Sequence, residues 1–174
     1  MRFSVAAGHY QGVPAFLITF TCYGSHLPGQ EGCIDRRHNV PGSRRPEPNE
    51  ALREFWSVAD PFELGAAERP IVLSAIREVC RFRGWSLLAA HIRASHVHVV
   101  VSANCEPEHI MNSFKAYASR ALNKTGETRR RWTRHGSTKY LNSPETISAA
   151  VRYVLEGQGA PMELYACDLA SRHA

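Results

Sequence analysis

At 174 residues, with 44% hydrophobic and 21% charged side chains, the chain has the size and composition of one globular domain with a sizeable core. No apolar run reaches the length of a membrane span, and the first ten residues lack the charged start and long apolar stretch of a secretory signal. The net charge of +5 is unevenly spread: residues 115–139 hold eight cations against one acid, Glu127, the electrostatic footprint of a polyanion partner. These features predict a cytoplasmic protein with no membrane partner. Five scattered cysteines without a Cys-x-x-Cys pair imply neither a disulfide framework nor a structural zinc site.

In chain order, residues 15–23 are β-branched and aromatic and predict a buried first strand. Residues 24–50 form a long irregular insertion, rich in glycine, proline and arginine, and a short helix is expected at 51–58. Ile71, Ala75, Ile76, Val79 and Phe82 recur at helical spacing, so a helix is expected over 66–83, with Gly84 as its stop. Two strands at 85–92 and 96–102 follow, joined as a hairpin by Arg93-Ala94-Ser95. A second main helix covers 106–123, with Ile110, Phe114, Tyr117 and Ala121 on one stripe. A fourth strand is expected at 137–141. Ser143 and Pro144, as N-cap and first position, open a third helix running to about Gly157. From about residue 160 a weakly patterned C-terminal tail completes the single domain, 1–174. The alternation of strands and helices predicts an α+β fold: a ferredoxin-like/RRM-like antiparallel sheet with helices packed on one face.

Chemistry centres on His96-Val97-His98-Val99-Val100-Val101-Ser102. Side chains two apart on a strand share a face, so Val97, Val99 and Val101 point one way and His96 and His98 stand together on the other. Two imidazoles so placed can converge on one divalent cation, although His-x-His is short and also fits an ordinary strand. The helices each offer one tyrosine. Tyr117 lies among the core positions of its helix. Tyr153 lies about 160° from Val151, off the stripe of Ile147, Val151, Val154 and Leu155, with small Ala149, Ala150 and Gly157 around it. A surface tyrosine and an approachable nucleophile fit that placement equally.

Together these features carry a resemblance. The His96-x-His98 strand, Ser113-Phe114-Lys115-Ala116-Tyr117-Ala118, Trp132-Thr133-Arg134-His135-Gly136-Ser137 and Tyr153-Val154-Leu155-Glu156-Gly157-Gln158 resemble the single-tyrosine HUH transposases. The chain is most similar to their REP-associated tyrosine transposase branch, and 16–39, with Tyr23-Gly24 and Asp35-Arg36-Arg37-His38-Asn39, adds to the likeness. The resemblance covers residues 15–158. It implies the HUH nuclease fold and a metal-dependent endonuclease and strand transferase acting on single-stranded DNA beside a hairpin. His96 and His98 match the pair that binds Mg²⁺ or Mn²⁺, and Tyr153 matches the nucleophile, giving a 5′-phosphotyrosine intermediate. It also implies a bacterial, nucleoid-associated setting, with a monomer and a homodimer both compatible.

In relatives an amide four residues after the tyrosine completes the metal shell; here that position is Gly157, leaving Gln158 or Glu156 as the third ligand. Lys115, Arg120, Lys124, Arg129, Arg130, Arg131, Arg134 and Lys139 are expected to neutralise DNA phosphates, with Trp132 stacking an unpaired base. Two other readings remain at this stage. One is a non-catalytic or domesticated module that grips hairpin DNA or RNA by charge and stacking. The other is a small-molecule metal hydrolase using His96, His98 and a carboxylate such as Glu156.

Overall fold

The computed structural model describes residues 12–25, 49–55 and 61–167, so most of the predicted insertion at 24–50 lies outside the described residues. The element order is β1 (Ala15–Cys22), α1 (Glu50–Phe55), α2 (Glu68–Arg83), β2 (Ser86–Ile92), β3 (His96–Ser102), α3 (Pro107–Asn123), β4 (Trp132–Leu141), α4 (Pro144–Glu156) and β5 (Glu163–Ala166). The strands form one antiparallel sheet in the order β4-β1-β3-β2-β5, an α+β architecture. Among the described residues no helix is long and apolar enough to cross a membrane. The four cysteines in the described residues are free.

The sheet buries both faces. On one, Phe16, Ile18, Phe20, Val97, Val99 and Val101 pack beneath α2 and α3, through Ile76 and Val79 of the former and Ile110 and Phe114 of the latter. These two helices share a face as predicted. The third does not. The apolar stripe of α4, Ile147, Ala150, Val151 and Val154, finds its partners on the opposite face in Ala15, Leu88, Ala89, Val100 and Leu141. That is the histidine face, and α4 covers only part of it.

Three local expectations are corrected. Phe82, assigned to the core stripe of α2, is 72% exposed and lies beside the Arg83 guanidinium; Val72, Leu73 and Cys80 are buried instead. The tail from residue 160 contains β5, whose backbone pairs with Ala89–Ile92 of β2. The fourth strand begins at Trp132 rather than 137, because it bulges opposite Thr21: Phe20 pairs with Gly136 and Cys22 with Trp132. Gly136 is required there, since a Cβ would fall 2.5 Å from both the Thr19 carbonyl oxygen and Met111 Sδ. At α4 the sequence signal holds in detail. Ser143 Oγ accepts from the Thr146 amide, and the Thr146 hydroxyl accepts from the Ser143 amide in a reciprocal capping box.

Candidate active site

The two histidines sit on β3, the middle strand of five, with β1 and β2 hydrogen-bonded on either side. Their ring centroids are 4.7 Å apart. Each ring is fixed through Nδ1: His98 Nδ1 lies 2.8 Å from Thr19 Oγ1 on β1, and His96 Nδ1 lies 2.9 Å from Ser95 Oγ in the hairpin turn. Such partners set ring orientation and decide which nitrogen is left for a ligand. His98 Nε2 is buried and has no hydrogen-bond partner, an orphaned polar atom of the kind native structures rarely leave unexplained. Burial first, then the neighbouring His96, pushes the His98 pKa down to about 4, so its imidazole is neutral and able to coordinate at ordinary pH.

Tyr153 comes to this pair from above. Its ring meets His98 edge-on at 5.8 Å between centroids, and the side chain remains 47% exposed. α4 brings it there because the stripe that buries Val151 and Val154 leaves Tyr153 pointing along the uncovered end of the sheet. Tyr117 stands on the other side of the sheet: it is partly buried against the core under α2 and α3, with the Arg120 guanidinium 4.4 Å from its ring centre.

Beyond Tyr153 the helix stops. Gly157 has φ −87° and ψ 8°, its amide donates to the Tyr153 carbonyl, and the Gln158 amide Nε2 turns back to within 3.5 Å of the same oxygen. Gln158 also reaches far enough to raise the His98 pKa against the desolvation, although it makes no normal hydrogen bond to the orphaned Nε2. A side chain at 157 would meet Tyr153: a Cβ there would lie 3.1 Å from the ring's Cδ2 and 2.9 Å from the carbonyl oxygen. The glycine at 157 thus leaves room for the tyrosine ring, and the nearest amide side chain is that of Gln158. Glu156 is exposed, and among the described residues no three His, Cys, Asp or Glu side chains converge. The donor set His96, His98 and Gln158, with an open Nε2, fits a divalent cation.

Residues 65–149, which contain both histidines and end four residues before Tyr153, match the family model described as transposase IS200-like. The match spans 85 of the 174 residues, the segment from α2 into the first turns of α4. A solved REP-associated tyrosine transposase bound to a REP hairpin aligns with this chain at a TM-score of 0.49 and 12% identity, over 84% of this chain and 67% of that one. No curated protein matches it.

The basic segment of the chain does not form one patch. Lys115 is 8% exposed, and its ammonium, pressed downward in pKa by burial, donates to the carbonyls of Thr133, Arg134 and His135 at 2.9, 3.3 and 3.2 Å. Those carbonyls belong to the three residues of the β4 bulge, between Trp132 and Gly136. Arg131, 4% exposed, ties the α3–β4 connection together through Asn123 Oδ1 and the Glu127 carbonyl. Trp132 packs edge-on against Phe20 and Phe62, and its indole N–H donates to Ser119 Oγ and the Lys115 carbonyl. These three expected DNA contacts are internal: each is committed to protein partners that leave no surface for a phosphate or base.

Of the remainder, Arg120 and Lys124 are exposed at the α3 side, whereas the β1–β4 register puts Lys139 on the histidine face, opposite Leu17. Arg134 is exposed at the bulge. Arg129 and Arg130 lie over the rings of Phe62 and Tyr23, at 5.3 and 4.2 Å. His109 and His135 are both exposed and away from the pair. Sequence reasoning missed Thr19 and Ser95. A hydroxyl on a neighbouring strand carries no sequence signal until the register is known.

Proposed function

We propose that this protein is an IS200-like transposase that cleaves and rejoins single-stranded DNA next to a hairpin, with Tyr153 as nucleophile and His96, His98 and Gln158 as ligands of Mg²⁺ or Mn²⁺. The observation that carries the reading is the edge-on approach of the Tyr153 ring to His98, whose Nε2 is buried and unpaired. A bound divalent cation supplies offset for the negative charge that develops on the phosphate, lowering the barrier by several kcal/mol.

The residues do the rest. Tyr153, half in solvent, gives up its phenolic proton to water. Its oxygen forms a bond to phosphorus as the bond from phosphorus to the 3′-oxygen breaks, and that oxygen takes a proton to leave as a free 3′-OH. One phosphodiester is exchanged for another, so the bond energy is kept and the step runs backward without ATP. Thr19 and Ser95 hold the imidazoles in register. Lys139 and Arg134 neutralise phosphates of the entering strand.

The test is a denaturing gel with labelled single-stranded hairpin DNA and Mn²⁺. Wild type and Tyr117→Phe form a covalent protein–DNA band, while Tyr153→Phe and His96→Ala do not. A band that survives Tyr153→Phe overturns the assignment, and binding without any band from wild type leaves a DNA-gripping module.

A further inference from the structure

A third histidine, His91, lies beside the pair on the neighbouring strand. It is fully buried on β2, directly across from His98 in the β2–β3 pairing. Both of its ring nitrogens are used. Nδ1 is 3.2 Å from the Val154 carbonyl oxygen on α4, and the Met162 amide N–H donates to Nε2 at 3.1 Å. A carbonyl can only accept and an amide N–H can only donate, so a single form satisfies both: the neutral ring with its proton on Nδ1.

The two anchor points bracket a defined piece of chain. Val154 follows Tyr153 directly, and between Val154 and Met162 lie Gly157, Gln158 and the left-handed Gly159, at φ +72°. Two residues on from His91 along the hairpin, Arg93 Nη1 donates to the Ala160 carbonyl at 3.1 Å. β2 and the residue that follows it therefore grip the segment at three backbone groups, on both sides of Gln158 and immediately after Tyr153. Burying a polar ring where a leucine would pack is unfavourable unless its hydrogen bonds are made, and here they are made to the backbone of α4 and of the segment that follows it.

We propose that His91, seconded by Arg93, is a positioning residue that fixes Tyr153 and Gln158 against His96 and His98. The inference rests on the proposed nuclease reading for its purpose, but its geometry is tested apart from it. Supporting partners of this kind typically affect ligand affinity or rate by about 10- to 100-fold.

The experiment uses the full chain as wild type, His91→Asn, His91→Leu and Arg93→Met. Asn keeps a donor near Nδ1 and lacks an acceptor at Nε2. The first readout is the nuclear Overhauser contact between the Tyr153 and His98 rings, measured in chelator without DNA. The others are the Mn²⁺ dissociation constant with Tyr153→Phe as background, and the single-turnover rate of covalent-band formation at saturating hairpin DNA. The expected result is loss of the ring contact in both His91 variants and its weakening in Arg93→Met. Mn²⁺ binding falls about tenfold and the single-turnover rate 10- to 100-fold, with half-saturating DNA within twofold of wild type. A His91→Asn or Arg93→Met protein that melts lower yet keeps the ring contact and wild-type Mn²⁺ affinity overturns the proposal and makes His91 a packing residue. If wild type forms no covalent band, the nuclease reading falls, and the ring contact still judges His91.

Discussion

The burial of His98 makes stability depend on pH in a way that can be measured without substrate. Its pKa falls from 6.5 to about 4 on folding, chiefly through desolvation, with the neighbouring His96 adding to the shift. The unfolded chain therefore takes up the proton first. As pH falls from 6.5 toward 4 the folded state loses stability; above that window the full contribution is present, and below it both states are protonated and the loss stops. At about 1.36 kcal/mol per pH unit, the drop from 6.5 to about 4 amounts to about 3 kcal/mol. The assay is urea unfolding in EDTA, in half-unit steps from pH 7 to pH 4, on wild type and His98→Asn. Asn retains a polar group within reach of Thr19 and does not titrate. His91, also lowered by burial, is present in both proteins and drops out of the difference. The wild-type advantage over the variant should shrink by about 3 kcal/mol across the window. Parallel curves would refute the reasoning, since they would mean that His98 is solvated and its Nε2 is not held open as a neutral donor.

Two further outcomes separate structure from contact. Lys115→Met leaves three bulge carbonyls without their donor and should lower unfolding stability by about 3 kcal/mol, with no change in the salt dependence of hairpin DNA binding. Lys139→Ala and Arg134→Ala should do the reverse, leaving the melting temperature in place and reducing the slope of log affinity against log salt by about 1 each; the opposite pattern sinks the division of the basic segment. Gly136→Ala should destabilise by about 2 kcal/mol in thermal unfolding, because its Cβ meets the Thr19 carbonyl oxygen; a wild-type melting point would show that the β4 bulge relaxes freely.

The sheet, the histidine pair and the separation of the two tyrosines were legible because period-two and period-3.6 patterns survive in the sequence. The position of α4 was also partly written there. Leu87-Leu88-Ala89-Ala90 and Val99-Val100-Val101 are apolar on both faces, which signals a sheet covered from both sides. Lys115 could have been found too, since it shares a helical stripe with Met111, Ala118 and Leu122, all buried. What no pattern showed was why a lysine belongs there: its three acceptors exist only because β4 bulges, a tertiary event. His91 was hidden by register. Reading Arg93-Ala94-Ser95 as the whole turn leaves its partner unset, whereas the observed turn is only Ala94-Ser95 with the Arg93 amide bonded to the His96 carbonyl, and this sets His91 opposite His98.

The site's two walls differ in how easily they open. His96 and His98 ride on a strand hydrogen-bonded along both edges in the middle of the sheet, a place where local opening requires nearly global unfolding. Tyr153 rides on the last turn of a helix, ahead of a glycine-bearing reversal. Fluctuation is therefore concentrated in one wall. Opening of the site starts at the α4 end, against the hold of His91 and Arg93, while the imidazole pair keeps its place on the central strand.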